Sequence, residues 1–278
     1  MKRNVLITGA SRGLGEAIAR EFWKTGAHVL LTARGLGALE ALRSELGQRV
    51  SIFAADLADA AAPEQIAAWA FETVPYVDVL VNNAAITGPI GKFWTNDAAA
   101  CEQTLRVNLL SPAALMRAVI PRMTHGGAII NLSGGGAAAP RANFSAYAAA
   151  KAALVRLSEN IAVEAAEMGV RVNCIAPGVM NTELLRDVVR ADAADAGEEF
   201  AKVEKLIVDG KTMDPAIPAR LCVYLASEEA RNVSGRLISA QWDPWARLHV
   251  FSDELQASDV YTLRRIVPKD RDKDWETA

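Results

Sequence analysis

The chain is expected to fold as one α/β domain, a doubly wound and mostly parallel sheet with helices on both faces. Short β-rich runs alternate with helical runs along most of its length. Those β runs are apolar on both faces, as strands covered by helices on two sides must be. The first run also ends in a glycine-rich turn that leads straight into a helix. Alternating β and α units imply right-handed crossovers, and ligands of such sheets sit beyond the carboxyl ends of the strands.

Val5 to Thr8 predicts the first strand, followed by a helix from about Leu14. Ala27 to Ala33 predicts a second strand, with a helix running to about Leu46. Val50 to Ala55 is a third strand, and the helix after it covers about Pro63 to Thr73. Val77 to Asn82 is a fourth, followed by a long helix from about Asp97. Ala128 to Leu132 is a fifth, followed by a helix from about Ser145. Val170 to Ile175 and Arg236 to Ala240 complete the set. Two regions break the rhythm: Asn181 to Met213, read as a mostly helical insertion, and the tail from Gln241 to Ala278. The expected organisation is therefore a nucleotide-binding-type domain over 1–240, with a lid at about 181–213, and a tail over 241–278 that packs on its own or a neighbouring subunit.

Composition narrows the function classes. The 278 residues are ample for a large core, and 51% of them are hydrophobic. A net charge of −3 offers no basic surface for nucleic acid and no polybasic membrane patch. The three cysteines, Cys101, Cys174 and Cys222, are widely spaced and show no metal or redox motif, which suits a reducing cytoplasm. The three histidines are equally scattered, so no metal site is expected. The apolar run before Thr8 is too short for a signal peptide. No apolar run reaches the roughly 18 residues that a membrane span needs.

Two motifs carry chemistry. The first turn reads Thr8-Gly9-Ala10-Ser11-Arg12-Gly13-Leu14-Gly15. Glycines there allow a tight turn and close approach of backbone to a pyrophosphate, and the helix N-terminus presents free N–H groups. The second is Ser145-Ala146-Tyr147-Ala148-Ala149-Ala150-Lys151. Residues i and i+4 share one helix face. A phenol with a pKa of about 10 is a poor base at neutral pH, and a nearby ammonium is expected to favour its phenolate. Such a tyrosine would serve as general acid for reduction or general base for oxidation.

With these motifs in place, the chain resembles the short-chain dehydrogenase/reductase family over about residues 4 to 240. The resemblance implies a Rossmann-type domain, a nicotinamide cofactor, and hydride transfer between it and a carbonyl or alcohol. It assigns Tyr147, Lys151 and Asn108 to catalysis. Gly9, Ser11, Arg12, Gly13, Leu14 and Gly15 would contact the cofactor, as would Asn83 and Ala84 in Asn82-Asn83-Ala84-Ala85, where the family usually ends in Gly. Asp56 and Leu57 would cap the adenine. Pro177, Gly178 and Val179 would meet the nicotinamide carboxamide, helped by Thr182. Asn108 would order a relay water. Pro112 lies four residues downstream and lacks an N–H, so the Asn108 carbonyl loses its usual helical donor; a plain proline kink is the alternative. The family also implies a homo-oligomer, a tetramer or dimer.

One position departs from the pattern. The family's catalytic serine lies about 13 residues before the tyrosine, and counting from Asn131 or from Tyr147 lands on Gly134. Ser133 is its neighbour, and a one-residue offset in a strand points the side chain to the opposite face. Three readings stay open: Ser133 turns inward; Ser145, a water or the substrate's own hydroxyl substitutes; or the chain is a catalytically weak nucleotide-binding sensor or structural protein. A lyase or isomerase using the cofactor transiently is a further class.

The second strand ends Leu31-Thr32-Ala33-Arg34, without the acid that grips ribose hydroxyls in NAD enzymes. Arg34 and Arg12 would suit a 2′-phosphate, so NADP is preferred and NAD is second; either arginine is otherwise a solvated charge. In the insertion, Leu184, Leu185, Val188, Val189, Val203, Leu206 and Ile207 fall at helical spacing and line a pocket or pack on the core. Arg141 and Asn143 would overlook the site, hinting at a polar or anionic substrate or at a structural ion pair. Phe93 and Trp94 are candidates for the opposite wall. Lys269 to Lys273 reads as a solvated charge run.

Overall fold

The structure, a computed structural model, describes residues 3–191 and 193–274. The first two residues, Asp192 in the expected lid and the last four residues of the expected tail lie outside the described residues.

The strands are β1 (Asn4–Thr8), β2 (His28–Ala33), β3 (Val50–Ala54), β4 (Val79–Asn82), β5 (Gly127–Leu132), β6 (Val170–Ala176) and β7 (Leu237–Ser239). They form one sheet in the order β3-β2-β1-β4-β5-β6-β7, and every pairing is parallel. Alternate residues of each strand feed opposite faces. Val5 and Ile7 enter a core with Ile18 and Phe22 of α1 (Gly13–Lys24), Leu39 and Leu42 of α2 (Leu36–Leu46), and Leu221 and Leu225 on the last long helix. Leu6 enters a second core with Ile66 of α3 (Ala62–Thr73) and the helices after β4 and β5. Strands buried on both faces therefore read as continuous apolar runs.

The helix after β4 is not continuous. It comprises α4 (Ala98–Leu105), a π segment (Arg106–Leu110) and α5 (Ser111–Val119). Pro112 cannot donate, and the Ser111 N–H instead bonds the Arg106 carbonyl in the wider π register. Proline thus widens one turn where a single long helix was expected, and Asn108 lies within the widened turn.

After β5, α6 (Ser145–Glu164) returns along the sheet. The insertion after β6 folds into α7 (Glu183–Arg190), α8 (Ala193–Ala196) and α9 (Glu198–Val208), ahead of α10 (Ala216–Ala226). The turn order reverses between β1 and β4, so a crevice opens at their carboxyl ends.

β7 is a residue shorter at each end than expected, and just before it Arg236 gives its backbone N–H to the Asn173 side-chain oxygen at 3.1 Å. Its guanidinium donates to the carbonyls of Leu255, Ser258 and Val260, beyond and at the end of α11 (Ser252–Ala257). The Leu237 N–H on the open edge of β7 donates to the Tyr261 carbonyl at 2.8 Å. The Leu263 N–H reaches Glu159 of α6 at 2.7 Å. Leu248 and Leu255 are buried beneath this segment. The tail therefore packs on its own chain and covers a sheet edge that would otherwise present unpaired backbone.

Replacing Arg236 by alanine removes a charged donor from three carbonyls. The expected loss is about 2 kcal/mol, with faster hydrogen exchange across 252–263. Unchanged exchange there would show that apolar contacts alone hold the tail.

Candidate active site

The crevice between β1 and β4 depends on backbone that no side chain fills. Gly9 and Gly13 have φ of +66° and +58°. A Cβ on Gly15 would stand 2.1 Å from the Gly9 carbonyl oxygen, and one on Gly9 would stand 2.8 Å from Cα of Ala84. Asn83 closes the junction: its Nδ2 donates to the carbonyls of Thr8 (3.0 Å) and Gly9 (3.2 Å). The Thr8 hydroxyl accepts from the N–H groups of Asn83 (3.0 Å) and Ala84 (3.1 Å). Leu14 anchors the turn in the core, and Ser11 is half-buried. The first turn of α1 carries no side-chain cap, so its N–H groups face outward as an anion site would need.

Around this crevice the other expected residues take distinct positions. Arg34 is exposed just beyond β2. Arg12 is exposed and 3.9 Å from Glu183 at the start of α7, a solvated pairing of little energetic weight. Asp56 is exposed and accepts from the Ala58 N–H, while Leu57 is buried and its carbonyl accepts from Ser111. Gly178 has φ of +86°, which turns the chain after Pro177. The Val179 carbonyl accepts from the Met213 N–H at 2.7 Å, tying both ends of the insertion together. Thr182 precedes α7 without a side-chain cap bond and comes within 3.4 Å of the Cβ position of Gly13.

On α6, Tyr147 and Lys151 share the buried face. The Lys151 ammonium donates to the Leu132 carbonyl at the end of β5 (2.7 Å) and lies 5.7 Å from the Tyr147 ring centre. Lys151 is 2% exposed, and burial lowers its pKa from 10.5 to about 8. Burial also pushes the Tyr147 phenol above its ordinary value, with the Arg141 charge opposing. For the phenol, withdrawal from water outweighs the opposing Arg141 charge. Asn108 is fully buried, and its side chain makes a two-way bond with the backbone of Ile86, accepting at 2.9 Å and donating at 2.8 Å. That bond fixes the π turn against the loop after β4.

The glycine substitution is structural as well as chemical. A Cβ on Gly134 would stand 2.5 Å from the Tyr147 hydroxyl, so Gly134 faces the phenol. Ser133, its neighbour just past β5, is buried, and its hydroxyl has no hydrogen-bond partner among the described residues. Arg141 makes an ion pair with Glu199 of α9, and its guanidinium lies 3.9 Å over the Phe144 ring and 5.5 Å from the Tyr147 ring centre. Asn143 has φ of +68°, and its carbonyl accepts from the Gly91 N–H. Leu185, Val188 and Val203 pack with Phe144 and Tyr147, so the insertion covers the tyrosine. Val189 instead points outward. Phe93 and Trp94 stand 63% and 81% exposed, and form no packed wall. Thr8 and Glu199 were not singled out from the sequence. Thr8 lay inside the glycine motif, whereas Glu199 left no signal because its partner is 58 residues away.

The parallel sheet and its glycine-lined crevice define a Rossmann-type nucleotide-binding fold. The family model for short chain dehydrogenase matches residues 3–193. The chain belongs to that short-chain dehydrogenase/reductase family of oxidoreductases. Oxidoreductase UcpA of Salmonella typhimurium is 34% identical, over 84% of this chain and 90% of the relative. Dehydrogenase/reductase SDR family member 4 of Homo sapiens is 30% identical, over 84% of each. Among solved structures, a blue fluorescent protein from a metagenomic library in complex with NADPH superposes with a TM-score of 0.75 at 29% identity, covering 85% of this chain and 95% of its own. A 3-ketoacyl-(acyl-carrier-protein) reductase from Brucella melitensis complexed with NADH gives 0.75 at 27%, covering 85% and 96%. No helix among the described residues is long and apolar enough to cross a membrane.

Two outcomes follow from this geometry. Gly134→Ala forces the phenol or the strand to move, and is expected to cost about 1–3 kcal/mol of stability; chemical denaturation measures it. Lys151 holds fewer protons folded than unfolded between pH 8 and 10.5, so its burden on stability is full below pH 8 and fades through that window. The burden is on the order of 3 kcal/mol, less about 1 for the bond to Leu132. Lys151→Met should therefore be more stable than the parent at pH 7, with the gap closing towards pH 10.5 in thermal melts.

Proposed function

We propose that this chain is an NADP(H)-dependent carbonyl reductase or alcohol dehydrogenase, with NAD(H) as the second cofactor choice and Tyr147 as the proton-transferring group. The observation that carries the reading is the seat of Tyr147. Its hydroxyl meets an open glycine wall at Gly134, Lys151 lies beneath it on the same helix face, and the lid covers it beside the glycine crevice.

The crevice fits a dinucleotide, because at Gly9 and Gly15 a Cβ would collide with the chain that forms it. NADP, when bound, supplies or accepts the hydride. Gly9, Ser11, Gly13, Leu14 and Gly15 would admit the pyrophosphate, with Asn83 and Ala84 as the floor. Arg12 and Arg34 would hold a 2′-phosphate, and Asp56 with Leu57 the adenine. Pro177, Gly178, Val179 and Thr182 would orient the carboxamide. The NADPH named in one structural relative and the NADH in another support a nicotinamide cofactor.

Tyr147 gives its proton to the carbonyl oxygen in reduction and takes it back in oxidation. Burial keeps the phenol protonated at neutral pH, which favours the donor role. Lys151 would hold the cofactor ribose, and its ammonium would offset the growing negative charge on the phenol oxygen. Asn108 holds the π turn, where the missing Pro112 N–H leaves its own carbonyl without an i+4 donor, a seat for a relay water. The loops and lid exclude solvent from the phenol. A second reading, a nucleotide-binding protein with lost turnover, has one observation in its favour: Gly134 brings no hydroxyl to the substrate oxygen.

NADPH fluorescence titration combined with NADPH oxidation across ketones, keto acids and aldehydes separates the two. Tyr147→Phe is expected to lower turnover by about 10²–10⁴-fold with cofactor binding retained. Tight NADPH binding with no turnover that depends on Tyr147 would establish the second reading.

A further inference from the structure

Arg141 stands in the wall of the site, on the loop between β5 and α6. Its side chain lies along the glycine run: Cδ, Nε and Cζ are 3.6, 3.7 and 3.9 Å from the Cβ position of Gly135, and its Cβ is 3.2 Å from that of Gly136. A Cβ at Gly135 would be in van der Waals contact with it, and one at Gly136 would press on it and on Ala148. The guanidinium stacks on Phe144 and faces the Tyr147 ring. Only 17% of the side chain is exposed, and a cation so withdrawn from water needs an anion.

Glu199 supplies that anion incompletely. Nε and Nη2 of Arg141 both converge on one oxygen, Oε1, at 3.0 and 2.5 Å. A guanidinium fork bonds a carboxylate best through two parallel bonds to two oxygens. Glu199 meets the fork through that one oxygen alone among the recorded bonds. It is also partly exposed and lies in the first turn of that helix, where a released carboxylate remains favourably placed by the helix dipole and by water.

We propose that Arg141 selects substrates bearing a carboxylate close to the reacting carbonyl, and that this carboxylate replaces Glu199 in the guanidinium fork. The proposal rests on the reading of Tyr147 as the proton donor. One anion takes the place of another, so the buried cation never stands alone. Gripped at the carboxylate, a keto acid has its neighbouring carbonyl aimed at the tyrosine, which supplies the positioning that the hydroxyl absent at Gly134 would otherwise give. Glu199 acts as a positioning residue that screens Arg141 from weaker ligands until a better-fitting carboxylate arrives.

The test compares α- and β-keto carboxylates with their methyl esters, using the full chain with NADPH. Glu199→Gln removes the competing charge and keeps the shape; it should lower KM for the acids about 5-fold or more and leave the esters behind. The paired change Arg141→Leu with Glu199→Leu removes both charges, so neither is left buried alone. It should cut the acid-over-ester preference in kcat/KM about 100-fold. If acids and esters fall together in both variants, the pair is only a latch for the lid and the proposal is overturned. Calorimetric titration of the keto acids into Tyr147→Phe protein holding NADP separates the two readings. Carboxylate binding that the double leucine change abolishes upholds Arg141 even if no carbonyl is turned over. Absence of that binding overturns Arg141 even if Tyr147 proves catalytic.

Discussion

The approach of the glycine turn to β4 is the constraint on which the rest of the site hangs. Gly15 lies so near the Gly9 carbonyl that one added carbon would fill the gap, and Asn83 bridges both strands through two donated bonds. Such contact is possible only where side chains are absent. It brings the start of α1 and the ends of β1 and β4 together at the reversal of strand order. From there the geometry propagates along the sheet. β4 registers β5 through Asn82 opposite Asn131, and β5 ends in the Leu132 carbonyl that receives Lys151. The face of α6 that carries Tyr147 and Lys151 is thereby held at a defined depth beside the crevice.

Burial at that depth has opposite effects on two groups. Lys151 is driven towards neutrality and Tyr147 towards retention of its proton. The site thus stores an electrostatic cost in Lys151 that a ligand carrying oxygen acceptors or negative charge would relieve. Arg141 adds a second cation near the phenol ring, already balanced by Glu199.

Much of this was legible along the chain. The strands announce themselves as short apolar runs, and the observed ends differ from expectation by a residue or two. The glycine turn and the Tyr147–Lys151 spacing are local patterns. The Gly134 departure could be counted from two anchors, and the Cβ position facing the phenol agrees with both. The π turn was half-visible: Pro112 signals a lost donor, but not that the neighbouring bonds would widen instead of breaking.

What the sequence by itself determined is therefore the parallel sheet, the crevice and the shared face of Tyr147 and Lys151 on α6, because strand alternation, turn stereochemistry and i,i+4 spacing act between near neighbours in the chain. Tertiary structure alone decided that Arg141 meets Glu199, that the tail seals the edge of β7, and that the phenol's proton is held more tightly. Those outcomes depend on distance in space and on exclusion of water, and both arise only when segments far apart in the chain are brought together.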